Sequence, residues 1–333
     1  MTALTKFKAA VVQTSPVFLD TAKTVDKACS IIREVGAAGA KMVAFPEVFI
    51  SAYPYWSWVD NPVNASKWFA KLYHSAIYVD GPEVQALCQA ARENDVNVVI
   101  GCNEKVRYSH GTMFNTNLII DNTGTLIGAH RKLVPTWAEK MSWTGGDGST
   151  LKTYKTNVGS LGTLACGENT NSLARFTLLS QGETVHVANY ISLPVSPGDY
   201  DMASAIKIRA AAHSFEGKIF TLVSCSTISE EIIQLFEKEN PQVRELFERK
   251  NSAFSGIIGP DGDNYVTPLI DDEGIVYADI DMEKTIQPKQ MHDILGHYNR
   301  FDIFKLTVNT KKNEPIIYTD TPFEAEEKLI IKA

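Results

Sequence analysis

Three side chains with useful chemistry stand at comparable places in the chain, each at or just beyond the end of an apolar, strand-like run. They are Glu47, Lys132 and Cys166. Taken singly, each has an ordinary structural explanation: a carboxylate in the first turn of a helix, a solvated cation, and a small buried thiol. In α/β folds, however, ligands bind beyond the carboxyl ends of the strands, so the three groups could converge on one crevice. Their joint occurrence indicates a functional site without naming its reaction.

Cys166 lies at a predicted strand-to-helix elbow. The apolar run 158–165 ends at Cys166, and Gly167 follows it. Residues 170–171 (Thr-Asn) are good N-cap residues for a helix over 172–180. Backbone N–H groups and the positive end of a helix can lower the pKa of a thiol placed there, so we expect a reactive thiol. The apolar stripe of this helix is predicted at Leu173, Phe176 and Leu179.

Strands and helices alternate along the chain in the order expected of an α/β domain. A strand over 7–13, a helix from Asp20 to Val35 and a strand over 41–45 form a β-α-β unit, which implies parallel strands and a right-handed crossover. Residues 53–73 are aromatic and poorly periodic, and predict a long loop with short helices. Further strands are predicted over 96–102, 114–121, 126–131, 183–188, 219–224, 254–258, 264–270 and 274–280. Further helices are predicted over 83–94, 199–217 and 230–250, and Pro241 breaks the last of them.

The chain shows no short repeat, no low-complexity linker and no break in composition. Mixed parallel and antiparallel strands flanked by helices therefore favour one α/β domain. We place this domain at residues 1–303. Residues 304–333 carry little core pattern and are predicted to be an extension that wraps around, or pairs with, another subunit.

Composition excludes several classes of protein. The 333 residues are 44% hydrophobic and carry a net charge of −7 with scattered basic residues, so neither nucleic acid nor an anionic membrane is an expected partner. No signal peptide or membrane-spanning run is present, and the five cysteines form no C-x-x-C pair, which fits a reducing cytoplasm. The histidines and acidic residues have no metal-ligand spacing, so we expect no metal.

Several stretches, in order from about residue 7 to residue 310, resemble the nitrilase branch of the carbon–nitrogen hydrolase superfamily. They are Phe45-Pro-Glu47-Val-Phe, Tyr53-Pro-Tyr-Trp56, His130-Arg-Lys132-Leu-Val-Pro-Thr136, Glu139-Lys-x-x-Trp143 with Gly146-Asp-Gly148, Cys166-Gly-Glu-Asn169, Gly259-Pro-Asp-Gly262 and His297-Tyr-Asn-Arg-Phe-Asp302. The resemblance implies a four-layer α-β-β-α sandwich. It also implies a homo-oligomer, a dimer or a higher and possibly spiral assembly, in which two subunits build an α-β-β-α-α-β-β-α core.

The resemblance also assigns roles. Cys166 matches the nucleophile, Glu47 the general base, Lys132 the cation that stabilises the tetrahedral intermediate, and Glu139 a second structural or catalytic glutamate. The implied reaction is attack of the thiol on a nitrile carbon to give a thioimidate, followed by hydrolysis through an acyl-thioester. The products are a carboxylic acid and ammonia, and the substrates are a small nitrile and water. No cofactor is required.

The candidate substrate pocket departs from the family pattern beside the nucleophile. Many nitrilases carry Cys-Trp-Glu where this chain has Cys166-Gly167-Glu168, so the pocket is expected to be wider or differently shaped. Ser51-Ala52 likewise replaces the more usual Pro-Gly before Tyr53. The aromatic residues could line the pocket or could simply be core, and His186, in an apolar strand, is also explained as a core residue. The candidate substrate-binding residues are Tyr53, Trp56, Thr136, Trp137, Trp143, Gly167, Asn169 and His186.

Three alternatives remain open. An amidase or carbamoylase of the same superfamily would use the same Glu, Lys and Cys, although the stretches around Tyr53 and Lys132 favour a nitrilase. A non-catalytic oligomeric scaffold would not need Cys166, Glu47, Lys132 and Glu139 intact. A papain-like Cys-His hydrolase needs a histidine base, and no histidine has a context that marks it as one.

Overall fold

Twelve β-strands form the centre of the molecule, in a computed structural model that describes residues 5–195 and 200–314. Their hydrogen bonds join them into one continuous sheet. The strands are β1 (Lys6–Gln13), β2 (Ala40–Ala44), β3 (Asn97–Lys105), β4 (Met113–Ile120), β5 (Leu126–Arg131), β6 (Tyr154–Thr156), β7 (Gly159–Ala165), β8 (Val185–Tyr190), β9 (Phe220–Cys225), β10 (Phe254–Ile258), β11 (Leu269–Ile270) and β12 (Gly274–Asp281).

Several helices begin directly after a side chain that caps them. Asp20, Asn171 and Asp201 each accept a hydrogen bond from a backbone N–H group in the first turn of the helix that follows. The helices are α1 (Thr21–Ala37), α2 (Trp56–Val59), α3 (Pro62–Ser75), α4 (Pro82–Asn94), α5 (Ser172–Ser180), α6 (Met202–Gly217), α7 (Glu230–Glu237) and α8 (Val243–Phe247), with short 3-10 turns over Trp137–Met141 and Cys166–Thr170 among the connections.

The sheet divides into two similar halves. One half has the order β5-β4-β3-β2-β1-β12 and the other β6-β7-β8-β9-β10-β11. In each half the central strands are parallel and the outer ones antiparallel. A single residue pair, Gln13 with Cys225, joins the halves through β1 and β9. The halves can therefore face each other as two layers instead of continuing as one flat sheet.

Alternate residues of the strands point into different cores, as the period of two in a β-strand requires. In β1, Ala10 and Val12 pack towards α1 and α4, whereas Ala9 and Val11 pack towards the other half of the sheet. The second half packs its outer face on α6, through Ala188 and Val223 among others. The order of layers is helix, sheet, sheet, helix, which confirms the predicted four-layer α-β-β-α sandwich.

Two elements differ from the sequence prediction. The segment 53–73 holds more than short helices, because Asn61 caps α3, Pro62 occupies its first turn, and its buried residues Ala65, Trp68 and Leu72 form a helical stripe. The predicted strand 264–270 is a strand only at β11, since Pro268 before it has no N–H to donate to a ladder.

The buried stripe of α5 is also rotated from the prediction. Leu179 is buried as expected, but Leu173 is 61% exposed. The helix instead turns Ala174 and Leu178 inward, onto Leu164 of β7. Packing against the strand sets the rotation of a helix as short as this one, and its own apolar pattern does not.

The described part of the C-terminal extension lies across the loop before β6. The backbone N–H of Asn313 donates to Asp147 Oδ2 at 2.8 Å, and a Cβ built on Gly148 would lie 2.1 Å from the carbonyl oxygen of Asn309. The boundary at residue 303 stays a prediction. Residues 315–333 of the extension lie outside the described residues. Residue 199, at the predicted start of α6, lies outside them as well. In the two described ranges, no helix has the length and apolar character to cross a membrane.

The segment after Glu47 has an unfavourable backbone conformation. Ser51 has φ = 81° and Ala52 has φ = 75°, in the left-handed region that favours glycine. The side chain of Asn103 holds the segment there by donating to the carbonyl oxygen of Ala52 at 2.9 Å. Ala52 is the position at which the usual family pattern has glycine, so the substitution in this chain leaves local strain.

We predict that Ala52→Gly raises the free energy of unfolding by about 1 kcal/mol, because glycine adopts this conformation without the clash of a Cβ. Urea unfolding followed by circular dichroism measures the change. The matched control is Ala86→Gly in the interior of α4. The backbone there is helical, so the same exchange is expected to lower the free energy of unfolding by about 0.5–1 kcal/mol. Equal destabilisation by the two variants would contradict the prediction.

Candidate active site

Lys132 is buried between two glutamates. Its Nζ lies 2.8 Å from Oε1 of Glu47 and 2.7 Å from Oε2 of Glu139, and the Lys132 side chain has no exposed surface. Glu47 follows β2, Lys132 follows β5 directly, and Cys166 follows β7 directly. The structure thus places two of the strand-end groups predicted from sequence in direct contact, and adds Glu139 to them.

The two carboxylates are oriented by further hydrogen bonds. Asn115 of β4 donates its Nδ2 to Glu47 Oε1 at 2.7 Å. The backbone N–H of Thr136 and the hydroxyl of Tyr53 donate to Glu139 at 2.7 and 3.0 Å. The other carboxylate oxygen of Glu47, Oε2, is buried and has no hydrogen-bond partner among the residues described. That oxygen is free to take up a proton.

Burial sets the protonation chemistry of the site. Burial raises the pKa of Glu47 to about 7, with the charge of Lys132 opposing the rise and that of Glu139 adding to it. Burial acts to lower the pKa of Lys132, but the charges of Glu139 and Glu47 outweigh it and raise the pKa well above its usual range. The site therefore holds a fixed cation beside a carboxyl group that can change its protonation state near neutral pH.

Cys166 occupies a strained turn, with φ = 47° at the start of a 3-10 turn. Burial and the charge of Glu47 raise the pKa of its thiol well above the usual value, although Lys132 acts in the opposite direction. The expectation that the elbow lowers the thiol pKa is therefore wrong. Helix α5 begins only at Ser172, so its positive end does not reach the sulfur, and the thiol is neutral at rest.

Glu168 joins the turn of Cys166 to the chain beyond Lys132. Its carboxylate accepts hydrogen bonds from the backbone N–H groups of Ala165 and Leu133, both at 2.8 Å, and lies 3.3 Å from Nε2 of His130. Burial would raise the pKa of Glu168, but His130 and the two backbone donors lower it below its usual value. Burial would lower the pKa of His130, but the charge and hydrogen bond of Glu168 raise it above its usual value. This buried ion pair fixes the spacing between the thiol and the lysine.

Two aromatic pocket candidates, Trp56 and Trp143, are buried against other protein groups, and a third, Trp137, is mainly exposed. Trp56 is buried and stacks on Trp68 with ring centres 5.8 Å apart. Trp143 donates its Nε1 to Asn103 Oδ1 at 2.8 Å. Trp137 is 76% exposed and meets the edge of Trp58. Their substrate-binding role stays a prediction.

The remaining candidates lie closer to the buried charges. Tyr53 contacts Glu139, as described above, and a Cβ built on Gly167 would lie 3.0 Å from the hydroxyl oxygen of Thr136. Apart from the two chain neighbours of Gly167, no other described residue comes within 4 Å of that position. Gly167 therefore leaves space beside Cys166. Asn169 and His186 are buried and hydrogen-bonded to each other at 2.9 Å.

Sequence reasoning missed the polar residues that orient the site, chiefly Asn115, His130 and Glu183. Asn115 and His130 stand in strands, and each is a polar residue within an apolar or mixed run. A buried polar group needs a partner, so such positions are a signal for a polar network. The partner of Asn115, however, is 68 residues away, and no local pattern identifies it.

Comparison with known proteins places this arrangement in a family. The profile of the carbon–nitrogen hydrolases matches residues 8–290. The chain belongs to the carbon–nitrogen hydrolase family. It is 38% identical over 315 residues to an aliphatic nitrilase of Rhodococcus rhodochrous, covering 93% of this chain and 84% of that protein. The prediction of an enzyme of the nitrilase family is confirmed.

Other carbon–nitrogen hydrolases extend the comparison. A cyanide hydratase of Pyrenophora teres f. teres is 34% identical over 331 residues, covering 95% of this chain and 88% of that protein. The crystal structure of a carbon–nitrogen hydrolase from Helicobacter pylori G27 matches with a TM-score of 0.68 at 18% identity, covering 90% of this chain and 97% of that one. The structural match supports the fold alone, and it agrees with the four layers described above.

We predict that Glu168→Gln lowers the free energy of unfolding by about 3 kcal/mol at pH 5.5 and by less at pH 8.5. Because folding raises the pKa of His130, its protonated form stabilises the fold fully below pH 6.5, the ordinary pKa of histidine. This stabilisation is lost as the pH rises through the raised pKa of the folded state. The lowered pKa of Glu168 gives stability that is present above its ordinary value of 4.5 and is lost at lower pH.

Urea unfolding at the two pH values measures this difference. Glu239→Gln is the matched control, because Glu239 pairs with Lys67 on the surface and its loss is expected to cost less than about 1 kcal/mol. Equal losses for Glu168→Gln at both pH values would show that the ion pair with His130 does not stabilise the fold.

Proposed function

We propose that this enzyme hydrolyses organic nitriles to carboxylic acids and ammonia, with Cys166 as the covalent nucleophile. The observation that carries the proposal is the buried ammonium group of Lys132 held between Glu47 and Glu139, at the strand ends where Cys166 also stands. The aliphatic nitrilase to which the chain is 38% identical supports a nitrile as the substrate.

The first half of the reaction follows from a neutral thiol beside a carboxylate. Glu47 takes the proton of Cys166 while the sulfur attacks the nitrile carbon, and the nitrogen accepts a proton to give a thioimidate. Water activated by Glu47 then adds to the thioimidate carbon to form a tetrahedral adduct. The free Oε2 of Glu47 and its pKa of about 7 suit this exchange of protons near neutral pH.

The second half releases both products. The tetrahedral adduct expels ammonia and leaves an acyl-thioester on Cys166, which a second water hydrolyses to the carboxylic acid and the free thiol. The sum is one nitrile and two waters giving one acid and one ammonia, so no cofactor or metal enters the balance. Lys132 stays charged throughout and stabilises negative charge on the adduct, and Glu139 keeps Lys132 charged and in place.

An amide is the second candidate product. If the tetrahedral adduct expels the thiol instead of ammonia, one nitrile and one water give one amide. The 34% identity to a cyanide hydratase favours testing this outcome, because a hydratase adds a single water. The amidase alternative uses the same Glu47, Lys132 and Cys166, so only the substrate distinguishes it.

The assembly and location stay predictions. We propose a homo-oligomer in which the extension 304–333 contributes contacts. Its support is the exposed apolar surface of α5, where Leu173 and Phe176 border a groove shared with residues 299–308. We also propose a cytoplasmic location, supported by the unpaired cysteines.

We predict that ammonia is released from at least one of a panel of aliphatic, aromatic and arylaliphatic nitriles, and that Cys166→Ala abolishes the release while the matching amides stay inert. Ammonia is assayed enzymatically, and chromatography separates acid from amide. Cys29→Ala, a half-buried cysteine of α1 away from the strand ends, is the control and is expected to keep full activity. Turnover of amides alone would assign an amidase, and activity in Cys166→Ala would remove the thiol from the mechanism.

We predict that kcat/KM for the nitrile rises about tenfold per pH unit up to about pH 7 and then levels off. The raised pKa of Glu47 means that its base form is lost as pH falls below about 7. Glu47→Gln is expected to lower kcat by about 100- to 10,000-fold at pH 7 and above, and by less at lower pH, where Glu47 of the wild type is already protonated. Circular dichroism over the same range controls for unfolding, and a flat profile from pH 5 to pH 9 would exclude Glu47 as the base.

A further inference from the structure

A second buried charge cluster lies behind the turn that carries Cys166. Oε1 of Glu183 is 2.7 Å from Nδ1 of His186, and Oε2 is 2.8 Å from Nε2 of His213. All three side chains are buried. Glu183 precedes β8, His186 lies in β8 and His213 lies in α6, so the cluster joins a strand to the helix that covers it.

The cluster is connected to the nucleophile through one amide side chain. Nε2 of His186 is 2.9 Å from Oδ1 of Asn169. Nδ2 of Asn169 donates to the carbonyl oxygens of Leu164 and Cys166 at 3.0 and 3.1 Å. These two carbonyl groups lie at the end of β7 and at the nucleophile itself, where the backbone has φ = 47°.

The hydrogen-bond partners determine where the protons are. Carbonyl oxygens only accept hydrogen bonds, so the amide nitrogen of Asn169 must face the carbonyl groups of Leu164 and Cys166. The amide oxygen of Asn169 then faces His186, and His186 must donate to it from Nε2. Burial would raise the pKa of Glu183, but the charges and hydrogen bonds of His186 and His213 lower it to about 2. Glu183 is therefore a carboxylate, and its Oε1 lies within hydrogen-bond distance of Nδ1 of His186.

The second histidine is neutral. His213 donates from Nε2 to Glu183, while its Nδ1 is buried without a hydrogen-bond partner in the described part of the chain. Burial lowers the pKa of His213 to about 4, and the charges of His186 and Arg175 lower it further against the opposing effect of Glu183. Arg175 itself pairs with Glu216 at 3.2 Å. The buried carboxylate of Glu183 is thus held by two histidine side chains.

The fold makes specific room for this cluster. A Cβ built on Gly162, in the strand that leads to Cys166, would lie 1.8 Å from Oε1 of Glu183. Any other residue at 162 would displace the carboxylate. The N to O distances of 2.7 and 2.8 Å are hydrogen-bond lengths, whereas ligands about 2 Å from a shared tetrahedral zinc ion lie about 3.2 Å apart. The cluster is therefore organised around protons, although its residues could also ligate a metal.

We propose that His186 is a positioning residue, which acts through Asn169 to hold the turn of Cys166 in its strained conformation. The proposal rests on Cys166 being the nucleophile of the proposed function. It gives Asn169 and His186 a role other than the substrate contact expected from sequence, because the amide atoms of Asn169 and both ring nitrogens of His186 are hydrogen-bonded within the protein.

The hydrogen bond from His186 to Asn169 is tested directly by 15N NMR of the full-length protein labelled at histidine. The expected result is one ring whose Nε2 is protonated and hydrogen-bonded, in contact with one neutral ring protonated only at Nε2. The contact between the rings of His186 and His213, 4.4 Å apart, assigns the pair. An unprotonated Nε2 on His186, or a stoichiometric metal found by elemental analysis, would overturn the proposal. This readout needs no nitrile turnover, so it stands apart from a failure of the proposed function.

The positioning role is tested by Asn169→Asp, which keeps the shape of the side chain but sets a carboxylate oxygen against the carbonyl groups of Leu164 and Cys166. We expect kcat for the nitrile to fall about 100-fold with KM within about threefold, and alkylation of Cys166 by iodoacetamide to slow. Asn171→Asp, the same exchange two residues away at the cap of α5, is the control and should leave both unchanged, because aspartate caps a helix as well as asparagine.

The kinetic outcomes separate the possible roles. A raised KM with unchanged kcat would assign Asn169 to substrate binding and overturn the proposal. Unchanged kcat, KM and alkylation rate would show that the turn does not depend on Asn169. If Asn169→Asp does not fold, the NMR measurement on the wild-type protein still decides whether His186 donates from Nε2 to Asn169. If the wild type turns over no nitrile, the alkylation rate still reports on the turn.

Discussion

The burial of the Lys132 ammonium group is the constraint on which the site depends. Removing a lysine charge from water costs several kcal/mol, and the cost is offset only when oppositely charged partners are held close by. Here Glu47 and Glu139 supply them from two different connections of the fold. Burial, with a smaller contribution from the charge of Glu139, raises the pKa of Glu47 to about 7 although Lys132 opposes the rise. A carboxyl group that titrates near neutral pH thus follows from burying the three charged groups together.

The backbone around the site is strained, and buried polar groups hold it in place. Positive φ values occur at Val48, Trp137 and Cys166, each next to or within two residues of a charged or reacting group. Such conformations persist only when several surrounding contacts hold the backbone in place. Glu168 and Asn169 make such contacts, because they bind backbone groups of Ala165 and Cys166. His130 and His186 in turn hold Glu168 and Asn169. Stability and catalytic geometry therefore rest on the same hydrogen bonds.

A neutral thiol at Cys166 fits the proposed mechanism. A free thiolate would be reactive at all times, whereas a thiol with a raised pKa becomes nucleophilic only as a base removes its proton. In the proposed mechanism that base is Glu47, whose Oε2 has no hydrogen-bond partner among the described residues.

The sequence by itself determined the features that depend on local patterns. Apolar runs located β1 to β4, and Asp20 and Asn171 marked the starts of α1 and α5. The ends of apolar runs pointed to Glu47, Lys132 and Cys166, while family resemblance added Glu139 and the four layers. The tertiary structure alone decided the partners of these groups: Asn115 for Glu47, His130 for Glu168, and Glu183 for His186 and His213. It also decided the pKa of the thiol and the rotation of α5. The physical reason is that burial and long-range contacts set charge states and side-chain environments, and neither is encoded in the spacing of neighbouring residues.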